Sequence, residues 1–234
     1  MQPRSVLRTE KIGLTMPKDK VAESQDRLIA GVRRFCREAY PQRQEAYQAA
    51  VREGQHPHAL FITCADSRIV PEMLTQSGPG EIFVSRNIGN LVPAYGEMPG
   101  GVSAVIEYAV TALEVSQVVV CGHSDCGAMK GLIHPEQVGA MPTVKSWLRN
   151  AEAALSTVRA RNIAGDGSAL EELIEENVLQ QMTHLRTHPS IAGRLATADL
   201  AVSGWVYDIA RGIVRIYDEQ ERRFIPVNRK ECNG

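Results

Sequence analysis

Short apolar runs alternate with longer stretches of helical periodicity along the chain. Three runs bounded by turn residues, at positions 59–64, 81–85 and 117–121, predict buried strands of a parallel sheet. Residues 101–113 lie between the second and third runs and combine helical spacing with small side chains that permit close packing. This alternation predicts an α/β domain with a central, mainly parallel sheet.

The regions on either side of these runs extend the pattern. Residues 20–52 predict an amphipathic helical arm, with Leu28, Val32 and Phe35 on one face and a break or kink at Tyr40-Pro41. Because this arm precedes the first strand and has little core of its own to cover, we expect it to pack on a partner subunit. Further predicted elements are helices at 142–161 and 168–186 around a loop at 165–167, and edge strands at 200–207 and 213–218.

Composition and charge narrow the class of protein. The 234 residues are 44% hydrophobic and 23% charged, which is ordinary for a globular domain, and the net charge of −1 favours neither nucleic acid nor an anionic membrane as a partner. No apolar run approaches the roughly 18 residues of a membrane span. Five cysteines do not suggest a disulfide framework, so the sequence predicts a cytoplasmic protein, with a carboxysome or an organelle as the alternative location.

Three candidate metal ligands fall where neighbouring strands end. Cys64 closes the first predicted strand, and His123 and Cys126 follow the third. Parallel strands deliver their carboxyl ends to one edge of the sheet, so these side chains can meet there. One imidazole and two thiolates suit Zn²⁺, and three protein ligands leave the open position of a catalytic site. The alternative is a structural zinc with Cys121 as a fourth ligand.

Two charged residues follow the first ligand at two-residue steps, Asp66 and Arg68. In extended backbone this spacing sends all three side chains to the same side. A carboxylate beside zinc can orient water, and a guanidinium can hold that carboxylate ionised through a bidentate contact. The alternative is a structural ion pair at the strand end. We expect Asp66 to pair with Arg68 rather than to bind the metal.

These residues belong to two recognisable stretches. Residues 64–68, CADSR, and 122–127, GHSDCG, together resemble the paired signature of the β-carbonic anhydrases, in the plant-like branch of that family. The similarity extends over positions 28–227. It implies the family fold, an α/β domain with a mainly parallel sheet, an antiparallel edge strand and flanking helices. On this basis we expect a tail at 1–19, a helical arm at 20–56, a zinc-dependent catalytic domain at 57–227 and a tail at 228–234.

The resemblance also implies an activity and a set of site residues. The activity is the reversible hydration of carbon dioxide to bicarbonate and a proton, with one Zn²⁺ per chain. By position, the family's zinc ligands match Cys64, His123 and Cys126, its catalytic pair matches Asp66 and Arg68, and its substrate pocket matches Gln55, Phe83, Tyr108 and Gly127.

The family further implies a homodimer or a higher homo-oligomer, with the pocket at the subunit interface and Gln55 reaching in from the partner. Two other functions stay open from the residues themselves. One is hydrolysis of carbon disulfide or carbonyl sulfide on the same fold. The other is a non-catalytic, zinc-stabilised binding protein, which requires a fourth protein ligand.

Overall fold

A single sheet of six strands organises the part of the chain that the computed structural model describes, residues 18–96, 100–161 and 169–227. The strands are β1 (Ala59–Cys64), β2 (Ile82–Asn87), β3 (Gln117–His123), β4 (Ala201–Asp208), β5 (Ile213–Asp218) and β6 (Arg223–Pro226). Their order across the sheet is β2-β1-β3-β4-β5-β6. The first four strands in that order are parallel, and β5 and β6 continue the sheet antiparallel.

This architecture confirms the predicted fold class. The five predicted strands are present. The structure adds β6 at the edge of the sheet, which was not predicted because it is only four residues long and has polar flanks. The predicted loop at 165–167 and both predicted tails, apart from residues 18 and 19, lie outside the described residues.

Nine α-helices occur in the described residues, interrupted by shorter helical turns. They are α1 (Lys18–Arg34), α2 (Tyr40–Glu53), α3 (Pro71–Thr75), α4 (Gly101–Glu107), α5 (Gly127–Ile133), α6 (Pro142–Trp147), α7 (Glu152–Arg161), α8 (Ala169–Leu185) and α9 (Pro189–Ala196). Phe35–Ala39 and Tyr108–Ala112 are π-helical, and Ile88–Asn90, Pro135–Val138 and Leu148–Ala151 are 3-10 turns.

The chain divides into two compact units, one up to Ala49 and one from Ala50 onward. In the first unit, the predicted break at Tyr40-Pro41 takes the form of the π-helical turn just before it, where the Tyr40 amide bonds the Phe35 carbonyl. Pro41 has no amide proton and its ring would clash with the carbonyl four residues earlier, which explains why the helix widens there.

The core of the second unit lies between the central strands and α8. Every residue of β1 is buried, as are six of the seven residues of β3. Two glycines let α8 approach the sheet: a Cβ on Gly122 would lie 2.8 Å from Val178, and one on Gly204 would lie 2.6 Å from Met182. The parallel pairing of β1 with β3 places the carboxyl ends of these two strands beside each other.

Candidate active site

The three predicted ligands meet at the carboxyl edge of the sheet. Thr63 pairs with Cys121 across β1 and β3, so Cys64 ends level with the last residues of β3, and Cys126 directly precedes α5. The ligand atoms of Cys64, His123 and Cys126 all lie within 4.8 Å of one another, and all three residues are buried. This spacing is compatible with one zinc ion held by two sulfur atoms and one nitrogen atom.

His123 is oriented as a metal ligand requires. Its Nδ1 lies 2.8 Å from the Ser124 carbonyl oxygen, which can only accept, so Nδ1 carries the proton. Nε2 then presents a lone pair, yet it is buried and has no hydrogen-bond partner among the described residues. A buried nitrogen without a hydrogen-bond partner is energetically costly unless it binds a metal ion. In metal sites, the other ring nitrogen of a histidine ligand is commonly held by a backbone carbonyl, as it is here.

The two thiols have the chemistry of a dication site. A hydrogen bond from Cys126 lowers the pKa of Cys64, whereas the same contact and burial raise the pKa of Cys126. The pair therefore gives up its first proton easily and its second with difficulty, because two buried thiolates repel each other. A divalent cation between them offsets that repulsion, so the residues fit zinc.

Cys121 does not belong to this cluster. Its side chain is fully buried with Phe61 and Val119, in a small hydrophobic cluster separate from the main core that contains Cys64 and Cys126. Burial raises the pKa of the Cys121 thiol to about 12, which keeps it protonated. The structural-zinc alternative, which needed Cys121 as a fourth ligand, therefore has no support in the geometry.

Asp66 and Arg68 form the bidentate pair that their spacing predicted. Arg68 donates from Nε to Oδ1 at 2.9 Å and from Nη2 to Oδ2 at 2.8 Å. These hydrogen bonds hold the pKa of Asp66 well below its usual range and raise that of Arg68. Asp66 Oδ2 also lies 4.0 Å from His123 Nε2, so the fixed carboxylate faces the ligand cluster.

A second acid extends this pair. Arg68 donates from Nη1 to Asp125 Oδ2 at 2.8 Å and from Nη2 to the Asp125 carbonyl at 3.3 Å, and Lys130 also bonds the Asp125 carboxylate. Lys130 and Arg68 together lower the pKa of Asp125 to about 2. The result is a row of hydrogen-bonded side chains of alternating charge that ends at Asp66.

Arg86 on β2 holds the backbone beneath the pair. It donates to the Asp66 carbonyl from Nη2 at 2.6 Å and to the Cys64 carbonyl from Nε at 3.3 Å. The sequence pattern assigns no role to Arg86, Asp125 or Lys130. Asp125 lies inside the GHSDCG stretch, so its position between two ligands was the available signal, whereas Arg86 reaches the site only through the pairing of β2 with β1.

The predicted pocket residues are not all at the cluster. Phe83 and Tyr108 contact each other, with ring centroids 5.9 Å apart, but Phe83 pairs with Leu60, about 13 Å along β1 from Cys64. Gln55 is exposed and precedes β1, whose first residue, Ala59, lies about 17 Å along the strand from Cys64. Gly127 adjoins Cys126, and a Cβ there would meet nothing within 4 Å, so its open side can admit a substrate.

Comparison with known proteins agrees with the site. The carbonic anhydrase family model matches residues 59–214, more than half of the chain. The chain belongs to the β-carbonic anhydrases. A carbonic anhydrase of Pseudomonas aeruginosa is 48% identical over 198 residues, which cover 85% of this chain and 90% of that protein.

Solved structures of this family share the fold. The β-carbonic anhydrase CcaA is 40% identical with a TM-score of 0.84, and the match covers 87% of this chain and 100% of that one. A tetrameric β-carbonic anhydrase of Sordaria macrospora is 29% identical with a TM-score of 0.62, and the match covers 85% and 95% of the two chains.

Membership in the carbonic anhydrase family establishes the reaction. β-Carbonic anhydrases are zinc lyases, and the chain accordingly catalyses the zinc-dependent, reversible hydration of carbon dioxide to bicarbonate and a proton. Both alternatives, a hydrolase of carbon disulfide or carbonyl sulfide and a non-catalytic zinc protein, are less consistent with these findings. Among the described residues, no helix is both long and apolar enough to cross a bilayer.

Proposed function

We propose that Cys64, His123 and Cys126 bind the catalytic zinc and that Asp66, positioned by Arg68, orients the attacking water. The observation that carries this assignment is the buried, unpartnered Nε2 of His123, which lies near two cysteine sulfurs and 4.0 Å from Asp66 Oδ2. When bound, zinc acts as a Lewis acid that makes water nucleophilic near neutral pH, chemistry for which carbonic anhydrase is the standard example.

The role of Asp66 follows from its charge state and its fixed orientation. The Arg68 guanidinium holds the pKa of this carboxyl well below its usual range, so it is ionised at neutral pH and can only accept hydrogen bonds. A water proton that faces Asp66 is held there, which turns an oxygen lone pair toward the carbon of carbon dioxide. Arg68 prevents the carboxylate from rotating, because it bonds both carboxylate oxygens.

A second copy of the chain completes the substrate pocket. Phe83, with Tyr108 against it, lies about 13 Å along the sheet from Cys64 of its own chain. Gln55 is exposed and Tyr108 is 50% exposed. In a homodimer they can face the partner's cluster, next to the open side of Gly127. Carbon dioxide has no net charge, so an aromatic wall beside one amide donor suits it. The tetrameric Sordaria relative supports such an assembly.

The decisive experiment is the Asp66→Asn variant, with zinc content and carbon dioxide hydration measured on the same preparation. Asparagine keeps the shape but replaces one acceptor oxygen with a donor. We expect retained zinc and a loss of hydration of about 10- to 100-fold or more. Asp218→Asn, at the last residue of β5, is the matched control and should have wild-type zinc content and activity. Full activity of Asp66→Asn with zinc bound would remove the proposed role. A parallel assay with carbon disulfide tests the alternative substrate.

The cytoplasm is the proposed location. The four cysteines in the described residues are free thiols, and two of them must be reduced to bind zinc. Thiols persist in that state in a reducing compartment. Fractionation of cells that express the full chain, with a carboxysome or organelle fraction alongside, tests this proposal.

A further inference from the structure

A short turn after β2 connects the ligand cluster to two helices beyond it. The turn comprises Ile88, Gly89 and Asn90, and its Gly89 amide donates a hydrogen bond to the Cys64 sulfur at an N···S distance of 3.4 Å. Gly89 is buried with φ of +80°, and a Cβ there would lie 3.0 Å from that of Ala128. Glycine is therefore required both by the left-handed backbone and by the close approach.

Both carbonyls that flank this amide are held by side chains. Trp147, at the end of α6, donates from its indole nitrogen to the Ile88 carbonyl at 2.8 Å. Asn177 on α8 donates to the Gly89 carbonyl at 3.1 Å. The Ile88 carbonyl and the Gly89 amide belong to one planar peptide unit, so a bond made at the oxygen restrains and polarises the amide on its other side.

From this arrangement we infer that Trp147 is a positioning residue for the zinc site and acts on Cys64 through the Ile88–Gly89 peptide. The order of contacts is indole N–H to carbonyl oxygen, then amide N–H to sulfur. A hydrogen bond from an amide N–H to a thiolate withdraws electron density from the sulfur. Trp147 thereby weakens the sulfur as an electron donor while it stabilises the negative charge that zinc binding requires. This inference rests on the proposed ligand assignment.

The effect on metal binding has a definite direction. Without the indole donor, the Gly89 amide is a weaker and less well oriented donor, so the Cys64 thiolate is less stabilised. Partners of metal ligands contribute about 10- to 100-fold to affinity. Because Trp147 acts through one intervening peptide, we expect the lower end of that range, a roughly 10-fold weaker zinc affinity.

The test uses cobalt(II) in place of zinc, in the full chain, because thiolate-to-cobalt charge transfer reports the electron density on sulfur. Trp147 is replaced by benzothienylalanine, which keeps the shape of the side chain and exchanges the indole N–H for sulfur. Trp147→Phe is the simpler second variant. The control is Trp205→Phe, since Trp205 packs edge-on against Phe61 on β1, with centroids 5.7 Å apart, and is not bonded to Ile88.

We expect the charge-transfer band to move to lower energy in both Trp147 variants and to stay in place in Trp205→Phe. Chelator competition should show the weaker zinc affinity in the same two variants. An unmoved band in the benzothienylalanine protein overturns the inference, whatever happens to its stability or activity. If the wild-type cobalt protein has no thiolate charge-transfer band, the ligand assignment itself fails, a result that is distinct from an unmoved band.

Discussion

Asp125 occupies a strained backbone conformation at the edge of the site. Its φ of +60° lies in the left-handed region, which costs a non-glycine residue about 1–2 kcal/mol. This conformation lets both its carbonyl and its carboxylate accept from Arg68. Exposed ion pairs contribute little to stability, and these side chains are 44% and 53% exposed. The contact therefore matters for the orientation of Arg68, and through it of Asp66.

The Arg68→Lys variant tests the importance of the guanidinium contacts with Asp66 and Asp125. Lysine keeps the charge but cannot bond both Asp66 oxygens and Asp125 together. We expect zinc content to be unchanged and kcat/KM for carbon dioxide hydration to fall about 10- to 100-fold. The control is Arg211→Lys, because Arg211 is 76% exposed and its guanidinium lies 3.6 Å from Asp208, without a two-oxygen contact. Equal activities of the two variants would show that charge alone suffices at position 68.

The segment that follows the Gly89 turn is fastened to the end of α8 and the residues just after it. Gln181 accepts from the Val92 amide at 2.8 Å, His184 Nδ1 donates to the Val92 carbonyl at 2.7 Å, and His188 Nε2 donates to the Pro93 carbonyl at 3.1 Å. His188 is 2% exposed, and burial lowers its pKa below the usual value. The neighbouring His184 contributes to the same lowering.

This buried histidine predicts a pH-dependent stability. In the unfolded chain His188 gains a proton below about pH 6.5, whereas the folded protein resists that proton. The free energy of unfolding contributed by His188 is therefore present above pH 6.5 and is lost as pH falls toward the lowered pKa. Glutamine can still donate to Pro93, so in His188→Gln we expect denaturant unfolding to lose less stability between pH 7 and pH 5.

The exposed His134 provides the control for this measurement. His134→Gln removes a histidine side chain that is 55% exposed and not part of the core, so its unfolding curves should follow wild type across the same pH range. Proton competition at the zinc ligands affects all three proteins equally and cancels in the comparison. Identical pH slopes in His188→Gln and wild type would contradict the prediction.

Apolar side chains remain exposed on α1 and on the π-helical turn that follows it. Leu28, Val32 and Phe35 are 71%, 61% and 43% exposed, respectively. They share the helical face that the periodicity predicted, and an exposed apolar stripe of this kind is typical of an interface. Together with the separation of Phe83 from Cys64 of its own chain, it supports the homo-oligomer proposed above.

The Leu28→Glu variant tests this assembly. A charge on the apolar face should shift the sedimentation profile toward monomer and reduce carbon dioxide hydration in parallel, with zinc still bound. Glutamate is a good helix former, so α1 itself should persist. Arg34→Glu, on a different face of α1, should leave the assembly intact. A monomer with full activity would refute the proposal that the partner completes the pocket.

Local patterns in the sequence were sufficient for much of the fold and for grouping the three candidate metal ligands. The apolar runs of β1 and β3 are continuous because both faces of these strands are buried, so their position could be read directly. Cys64, His123 and Cys126 could be grouped because parallel strands end at one edge. The Asp66–Arg68 pair followed from a spacing of two residues within one short segment.

Other features depend on contacts between residues far apart in the chain, and only the tertiary structure decided them. The hydrogen bond from Gly89 to Cys64 joins residues 25 positions apart, and the one from Trp147 to Ile88 joins residues 59 positions apart. The protonated nitrogen of His123, the exclusion of Cys121 from the ligands and the distance of Phe83 from the cluster likewise follow from packing and strand register. Periodicity determines which face of an element is buried, whereas the identity of the atoms that meet there depends on how the elements pack.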